Sequence, residues 1–510
     1  MTQILERING FVWGAPALVL ILGVGIWLSI RAGFPQLRYF SKSMKRFLQS
    51  LAGGGSSQGT VSPFQALCTA LAATVGTGNI AGVAGAIAIG GPGAIFWMWI
   101  CAFVGMATKF AEATLAVRYR SKIGGEYVGG PMYMIQNAMK KPWHKLAYIY
   151  CFFGVVAAFG VGNATQINAV ITGVNTTLSA FGAQESVAGN LFMGAVLAAV
   201  IALILVGGMQ RIGKIAEMLV PFAAAAYLLL GIFVLFARSD QIPYAFSAIF
   251  TGAFSPKAVT GGVVGSAMTA LRTGVSRGVF TNEAGMGTAS IAHASASVRH
   301  PVEQGMMGIV EVFLDTVVIC TMTALVILVS GAHIPYGQDV GAALTSNAFA
   351  AVLGDWVNIV IAAALCCFAI ATVLGWGLYG ARCAQFLFGA NVWKRFVLLQ
   401  AVIVVISAVL KTGTVWLMAE IVNGLMAIPN LIVLAALTPE LCRLVREYKC
   451  LSAAGAAIGG TYEGIRQCKS LRTVTYAEIP PFGGAGAEAG KDDLSLKYRP
   501  AGLKNSGGVL

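Results

Sequence analysis

Apolar residues run along this chain in long blocks, broken by short polar or glycine-rich stretches. A helix needs about 20 apolar residues to cross a bilayer, and most blocks reach that length. Eleven candidate spans follow, at about 11–32, 63–90, 92–117, 146–180, 189–207, 213–237, 259–293, 303–331, 354–386, 394–411 and 413–441. The second and third are parted only by Gly90-Gly91-Pro92-Gly93. Segment 332–353 is moderately polar and reads as a structured outer loop. After about 442 the chain is rich in Gly and Ala with mixed charge, a pattern expected to be partly disordered.

Two segments depart from the pattern. Ala73-Thr74-Val75-Gly76-Thr77-Gly78-Asn79 lies in the second block. Arg272-Thr273-Gly274-Val275-Ser276-Arg277-Gly278 lies in the seventh and continues polar and glycine-rich to Gly287. Glycine lowers helix propensity by about 1 kcal/mol, so both are expected to unwind. Unwound backbone at membrane depth survives only inside protein or along a cavity. The competing reading is that these glycines let helices pack closely, as small residues four apart do. Setting span one aside, each segment opens a set of five spans, the spacing expected of an inverted-repeat transporter. The division is then 1–62, an extra helix and basic loop; 63–237, a first repeat; 238–441, a second, inverted repeat; and 442–510, a tail.

Broken helices suggest a site. Half-helix N-termini favour a carboxylate, and half-helix C-termini suit Na⁺ or an ammonium. A zwitterionic amino acid uses both, with Thr77, Asn79 and Asn282 as further candidate ligands.

Composition agrees with the membrane reading. Of 510 residues, 57% are hydrophobic and 11% charged, against about 25% charged in soluble domains. The net charge of +14 reads as topology rather than as nucleic-acid binding, because 27 of 34 basic residues fall on one side of the eleven spans. The positive-inside rule then places the N-terminus outside and the C-terminus in the cytoplasm.

Gly90-Gly91-Pro92-Gly93-Ala94-Ile95-Phe96-Trp97-Met98-Trp99, the run 74–79 and Thr281-Asn282-Glu283-Ala284-Gly285-Met286-Gly287 together resemble the alanine or glycine:cation symporter family, over about residues 10–445. The resemblance implies an all-α leucine-transporter-like fold of two inverted five-helix repeats behind one extra helix. It implies Na⁺-coupled uptake of alanine or glycine, D-alanine included, through the inner membrane of a bacterium or archaeon. It implies no cofactor beyond Na⁺ as coupling ion. Carried over by motif, Thr77, Gly78, Asn79, Gln166, Gly274, Gly278, Phe280, Asn282 and Trp376 contact substrate, with Trp376 limiting side-chain size. Carbonyls of Ala72, Val75 and Ala369 and the Thr372 hydroxyl hold Na⁺, and Val373 stands where relatives of the fold often carry a second hydroxyl.

Charges inside spans are functional candidates by default. Arg272, Arg277 and Glu283 are gating or coupling candidates, with Glu283 alternatively pairing with either arginine. Glu311 and Asp315 share a helix face and read as a salt-bridged structural set before an ion path; Lys109 and Glu112 read as a pair. His144 and His300 are expected in solvent. Gly55-Ser56-Ser57-Gln58-Gly59 matches a hydrolase string, but without the strand or the His and acid partners that chemistry needs, so the chain does not read as an enzyme. A proton-coupled symporter of small amino acids and, more remotely, an ion channel are the alternatives to Na⁺ symport.

Overall fold

A computed structural model describes residues 2–51, 61–180, 182, 184–264, 266–338, 341–410 and 412–453. The string at 55–59 and the tail beyond 453 lie outside them. The described residues are nearly all helical, and a short hairpin, Ser121–Ile123 with Glu126–Val128, is their single sheet.

Local signals explain most boundaries. Pro63–Thr74 starts at a capping box: the Ser62 hydroxyl accepts from Gln65 N–H, and Gln65 Oε1 accepts from Ser62 N–H. After Thr74 the chain turns through a short 3₁₀ segment, Thr77–Asn79, into Ala81–Gly90. The two halves meet at 59°. This is the first expected break, where the glycines and polar side chains placed it.

The second break is not where the glycines at 274 and 278 suggested. Ala267–Asn282 is one uninterrupted helix. A Cβ at Gly274 would lie 2.3 Å from the Ala94 carbonyl and 2.7 Å from Trp97 Cβ, and one at Gly278 would lie 3.2 Å from Cys101 Cβ. Both glycines therefore sit on the face that packs against the helix Ala94–Arg118, which is the close-packing reading. The chain breaks later, over 283–287. Glu283 is left-handed at φ 54°, Gly285 and Gly287 have φ of 96° and 78°, and the helix resumes as Thr288–His293.

Among the described residues, eight helices are long and apolar enough to cross a membrane, or up to ten if two bent pairs are single spans. Eleven was expected. The block 259–293 supplies a helix of only 16 residues carrying Arg272 and Arg277, too short and polar to qualify. Two of the crossing helices contain wide π-helical turns, at Gly160–Ala164 and Phe313–Cys320. The last described helix, Thr438–Ala453, runs past the expected start of the tail and buries Tyr448 against Tyr39 and His300.

Ala94–Arg118 is the central post. It is flanked by Pro301–Val312 and Ala267–Asn282. Val357–Phe388 packs against Pro63–Thr74 and Thr165–Ala180, bringing both breaks, the Gly160–Ala164 turn and one long helix around a common centre.

Candidate functional site

At the first break the backbone donors are redirected. Gly76 N–H bonds Asn79 Oδ1 at 2.9 Å, Thr77 N–H bonds Gln166 Oε1 at 3.4 Å, and Asn79 N–H bonds the Gly76 carbonyl at 3.3 Å. In a continuous helix these three donors would serve the carbonyls of Ala72, Ala73 and Val75. Two of those are expected Na⁺ ligands. A third, Thr372, has a buried hydroxyl with no hydrogen-bond partner, and a Cβ on Gly76 would come within 2.5 Å of it. An orphaned hydroxyl beside released carbonyls is the donor set a desolvated Na⁺ needs. Ala369 is buried one turn earlier on the same helix.

Several expected substrate residues meet here. The Thr77 hydroxyl donates to Gln166 Oε1 at 3.0 Å. The Phe280 ring and Thr281 methyl lie against Gly78, 3.5 and 3.3 Å from where a Cβ would be. Trp376, four residues beyond Thr372 and so on the same face, is buried against Gly162 in the wide turn, where a Cβ would lie 2.1 Å from its own. Gly274 and Gly278 are not part of this group. The Asn79 and Asn282 amides are engaged with protein: Asn79 Nδ2 donates to Asp315 Oδ1 at 2.6 Å, and Asn282 Nδ2 to Thr316 Oγ1 at 3.1 Å.

The second break is capped from within. Glu112 Oε1 accepts from Gly285 N–H at 2.9 Å, Gly287 N–H at 3.1 Å and Asn430 Nδ2 at 2.7 Å. The unpaired N–H groups before Thr288–His293 are thus already served by a carboxylate. This role was missed from sequence because its partners are backbone groups of a distant segment.

The sodium:alanine symporter family profile matches residues 1–458. The chain belongs to this family. The sodium/alanine symporter AgcS of Methanococcus maripaludis is 43% identical over 443 residues, 86% of this chain and 94% of that protein. The probable sodium/glutamine symporter GlnT of Bacillus subtilis is 38% identical over 464 residues, 89% of this chain and 93% of that protein. Among solved structures, MhsT in complex with L-phenylalanine aligns with a TM-score of 0.55 at 16% identity, covering 77% of this chain and 99% of that one. This places the symporter in the same helical fold as that transporter. It is a multi-pass membrane protein of a sodium-coupled amino-acid symport family.

The symporter's charged residues pair differently from the expectation. Arg277 joins Glu420 at 2.7 Å, and exposed Arg272 reaches the Gly10 carbonyl at 3.4 Å. Glu283 instead accepts from the Thr288 hydroxyl through its carboxyl. Lys109 approaches Glu311, at 3.3 Å, rather than Glu112, and Glu311 also bonds His293 at 2.8 Å. All three side chains are buried in the membrane region, where an ion needs its partner most. Asp315 takes no part in that cluster. His300 is not in solvent: it is 5% exposed and caps Pro301–Val312 by accepting from Val302 N–H.

Proposed function

We propose that this symporter uses a Na⁺ gradient to import a small neutral amino acid, alanine or glycine with D-alanine included, by alternating access. The observation that carries this is the first break: redirected N–H groups, the orphaned Thr372 hydroxyl and the meeting of Thr77, Gln166 and Phe280. Na⁺ is bound by the carbonyls of Ala72, Val75 and Ala369 and the Thr372 hydroxyl. The substrate carboxylate lies at the positive end of Ala81–Gly90, near Thr77 and Gly78. Gln166 and Asn79 frame it, Asn282 shapes the opposite wall, and Phe280 and Trp376 restrict the side chain. Gly274 and Gly278 contribute by letting Phe280's helix approach. Arg272, Arg277 and Glu283 act in gating, the Arg277–Glu420 tie linking Ala267–Asn282 to the helix Thr412–Ala436. Eleven spans, an inverted five-plus-five repeat, an outer N-terminus and a cytoplasmic C-terminus complete this reading.

Small size alone gives modest discrimination, about 1–3 kcal/mol per methylene. The likeness to relatives named for alanine and for glutamine therefore makes substrate the first quantity to measure.

One observation favours a second reading, proton coupling. Glu112, Glu283, Glu311 and Asp315 are all buried, with Lys109 as the buried lysine among them. Reconstitution separates the two. Proteoliposomes are loaded and driven by Na⁺, by K⁺ or by a proton gradient, with labelled L-alanine, D-alanine, glycine and glutamine outside. Accumulation of alanine or glycine under Na⁺ alone is expected. Accumulation under a proton gradient without Na⁺ would replace Na⁺ coupling, and accumulation of glutamine only would replace the substrate.

A further inference from the structure

The two breaks are joined by one continuous hydrogen-bonded chain that passes through Asp315. This residue lies in the wide π-helical turn Phe313–Cys320 and is fully buried. Its Oδ1 accepts from Asn79 Nδ2 at 2.6 Å, and its Oδ2 accepts from the Thr316 hydroxyl at 2.8 Å. Asn79 Oδ1 takes Gly76 N–H at 2.9 Å in the first break. Thr316 accepts from Asn282 Nδ2 at 3.1 Å, and Asn282 Oδ1 takes Ala284 N–H at 2.9 Å in the second.

The order of the chain is set from both ends. The backbone N–H groups of Gly76 and Ala284 only donate. Asn79 must therefore turn its oxygen to Gly76, leaving its amide nitrogen for Asp315. Asn282 must likewise turn its oxygen to Ala284, leaving its amide nitrogen for Thr316. Asp315 and Thr316 join the two amides in the middle, Oδ1 accepting from Asn79 and Oδ2 paired with the Thr316 hydroxyl. An acid is also a costly choice for a mere staple: among the described residues it forms no ion pair, and an ionisable group buried without an opposite charge is unfavourable. An ionisable residue so placed in a membrane protein points to function.

We infer that Asp315 is a positioning residue which, through Thr316, makes the two breaks rearrange as one unit, so that occupation of the first break is felt at the second. This rests on the proposed binding of Na⁺ and amino acid at the first break. Its consequence is thermodynamic coupling: Na⁺ tightens amino-acid binding because both ligands order the same joined pair of breaks.

The test is alanine binding to purified full-length protein, by scintillation proximity, with and without saturating Na⁺. The ratio of the two dissociation constants measures coupling, and linked sites usually give about 5- to 150-fold. Thr316→Val cuts the chain while keeping the β-branched shape and altering no residue of either break. Asp315→Asn replaces the carboxyl oxygen facing Thr316 with an NH₂ group that can only donate. In both, the ratio is expected to fall towards unity, with saturable binding retained. A purely structural role would lower the yield of folded protein and leave the ratio intact. A wild-type ratio preserved in Thr316→Val would overturn the inference even if Asp315→Asn does not fold. Wild-type protein that binds no alanine in either condition overturns the site assignment itself, and the inference with it; the two failures are told apart before any variant is made.

Discussion

Thr77 offers both its backbone N–H and its hydroxyl to a single atom, Oε1 of Gln166, at 3.4 and 3.0 Å. This contact ties the first break to the wide turn on which Trp376 leans. Gln166→Ala leaves both donors buried and unpaired. A net loss of one to two hydrogen bonds weakens alanine affinity by about tenfold. Gln166→Glu, which sets a like charge beside the substrate carboxylate, weakens it further. Initial uptake rates against alanine concentration in proteoliposomes check both, and unchanged kinetics would remove Gln166 from the site.

Thr372 is expected to report on the ion rather than the amino acid. Thr372→Ala deletes the orphaned hydroxyl and should raise the Na⁺ concentration for half-maximal uptake about tenfold, the scale of one lost bond to a charged group. Thr372→Ser keeps the oxygen and should stay near wild type. If all three proteins share one Na⁺ dependence, the ion is held elsewhere.

Glu112 is a matter of stability first. Glu112→Ala strands two backbone N–H groups and takes one of the two acceptors from the Asn430 amide, at a cost of about 3 kcal/mol. Glu112→Gln retains an acceptor oxygen and should lose clearly less. Thermal unfolding in detergent measures the difference. Equal melting temperatures for the two variants would mean the cap contributes nothing.

His300 gives the fold a pH dependence outside the membrane spans. Burial, with Arg118 and Arg443 adding repulsion, pushes its imidazole down to about 4. An unfolded histidine titrates near 6.5. Between those values the unfolded chain binds the extra proton, so stability falls as pH drops from about 6.5 towards 4. His300→Asn keeps a capping oxygen and should flatten that slope. Melting temperatures from pH 7 to 4.5 test it, and parallel slopes in the two proteins would exclude His300 as the cause.

Most spans were legible because twenty apolar residues in a row have few other fates; the block at 259–293 was not, because its helix carries Arg272 and Arg277. The first break was legible because Gly76 and Gly78 alternate with Thr77 and Asn79 inside an apolar run. The second was misplaced because glycine carries two messages. Gly274 and Gly278, four apart, bring helices together, whereas Gly285 and Gly287 supply the positive φ the break requires. Charge pairing was read least well. The partners of Lys109, Arg277 and Glu112 lie in distant spans, and helical spacing reports only neighbours along one helix. Asp315 was visible as a buried acid, but its link to Asn79 and Asn282 appears only when the wide turn swings it between the breaks.

The carboxylate at Glu112 has a consequence for what the protein refuses. Both interrupted helices expose a positive end, yet at one of them the N–H groups already have a resident acceptor in Glu112. On the proposed function a single berth remains for an arriving solute. An amino acid with one acidic group fills it, whereas aspartate or glutamate brings a second acid for which the other positive end has no free N–H group. On that reading acidic amino acids are refused for want of a second berth, before any wall of the pocket is asked to measure their length.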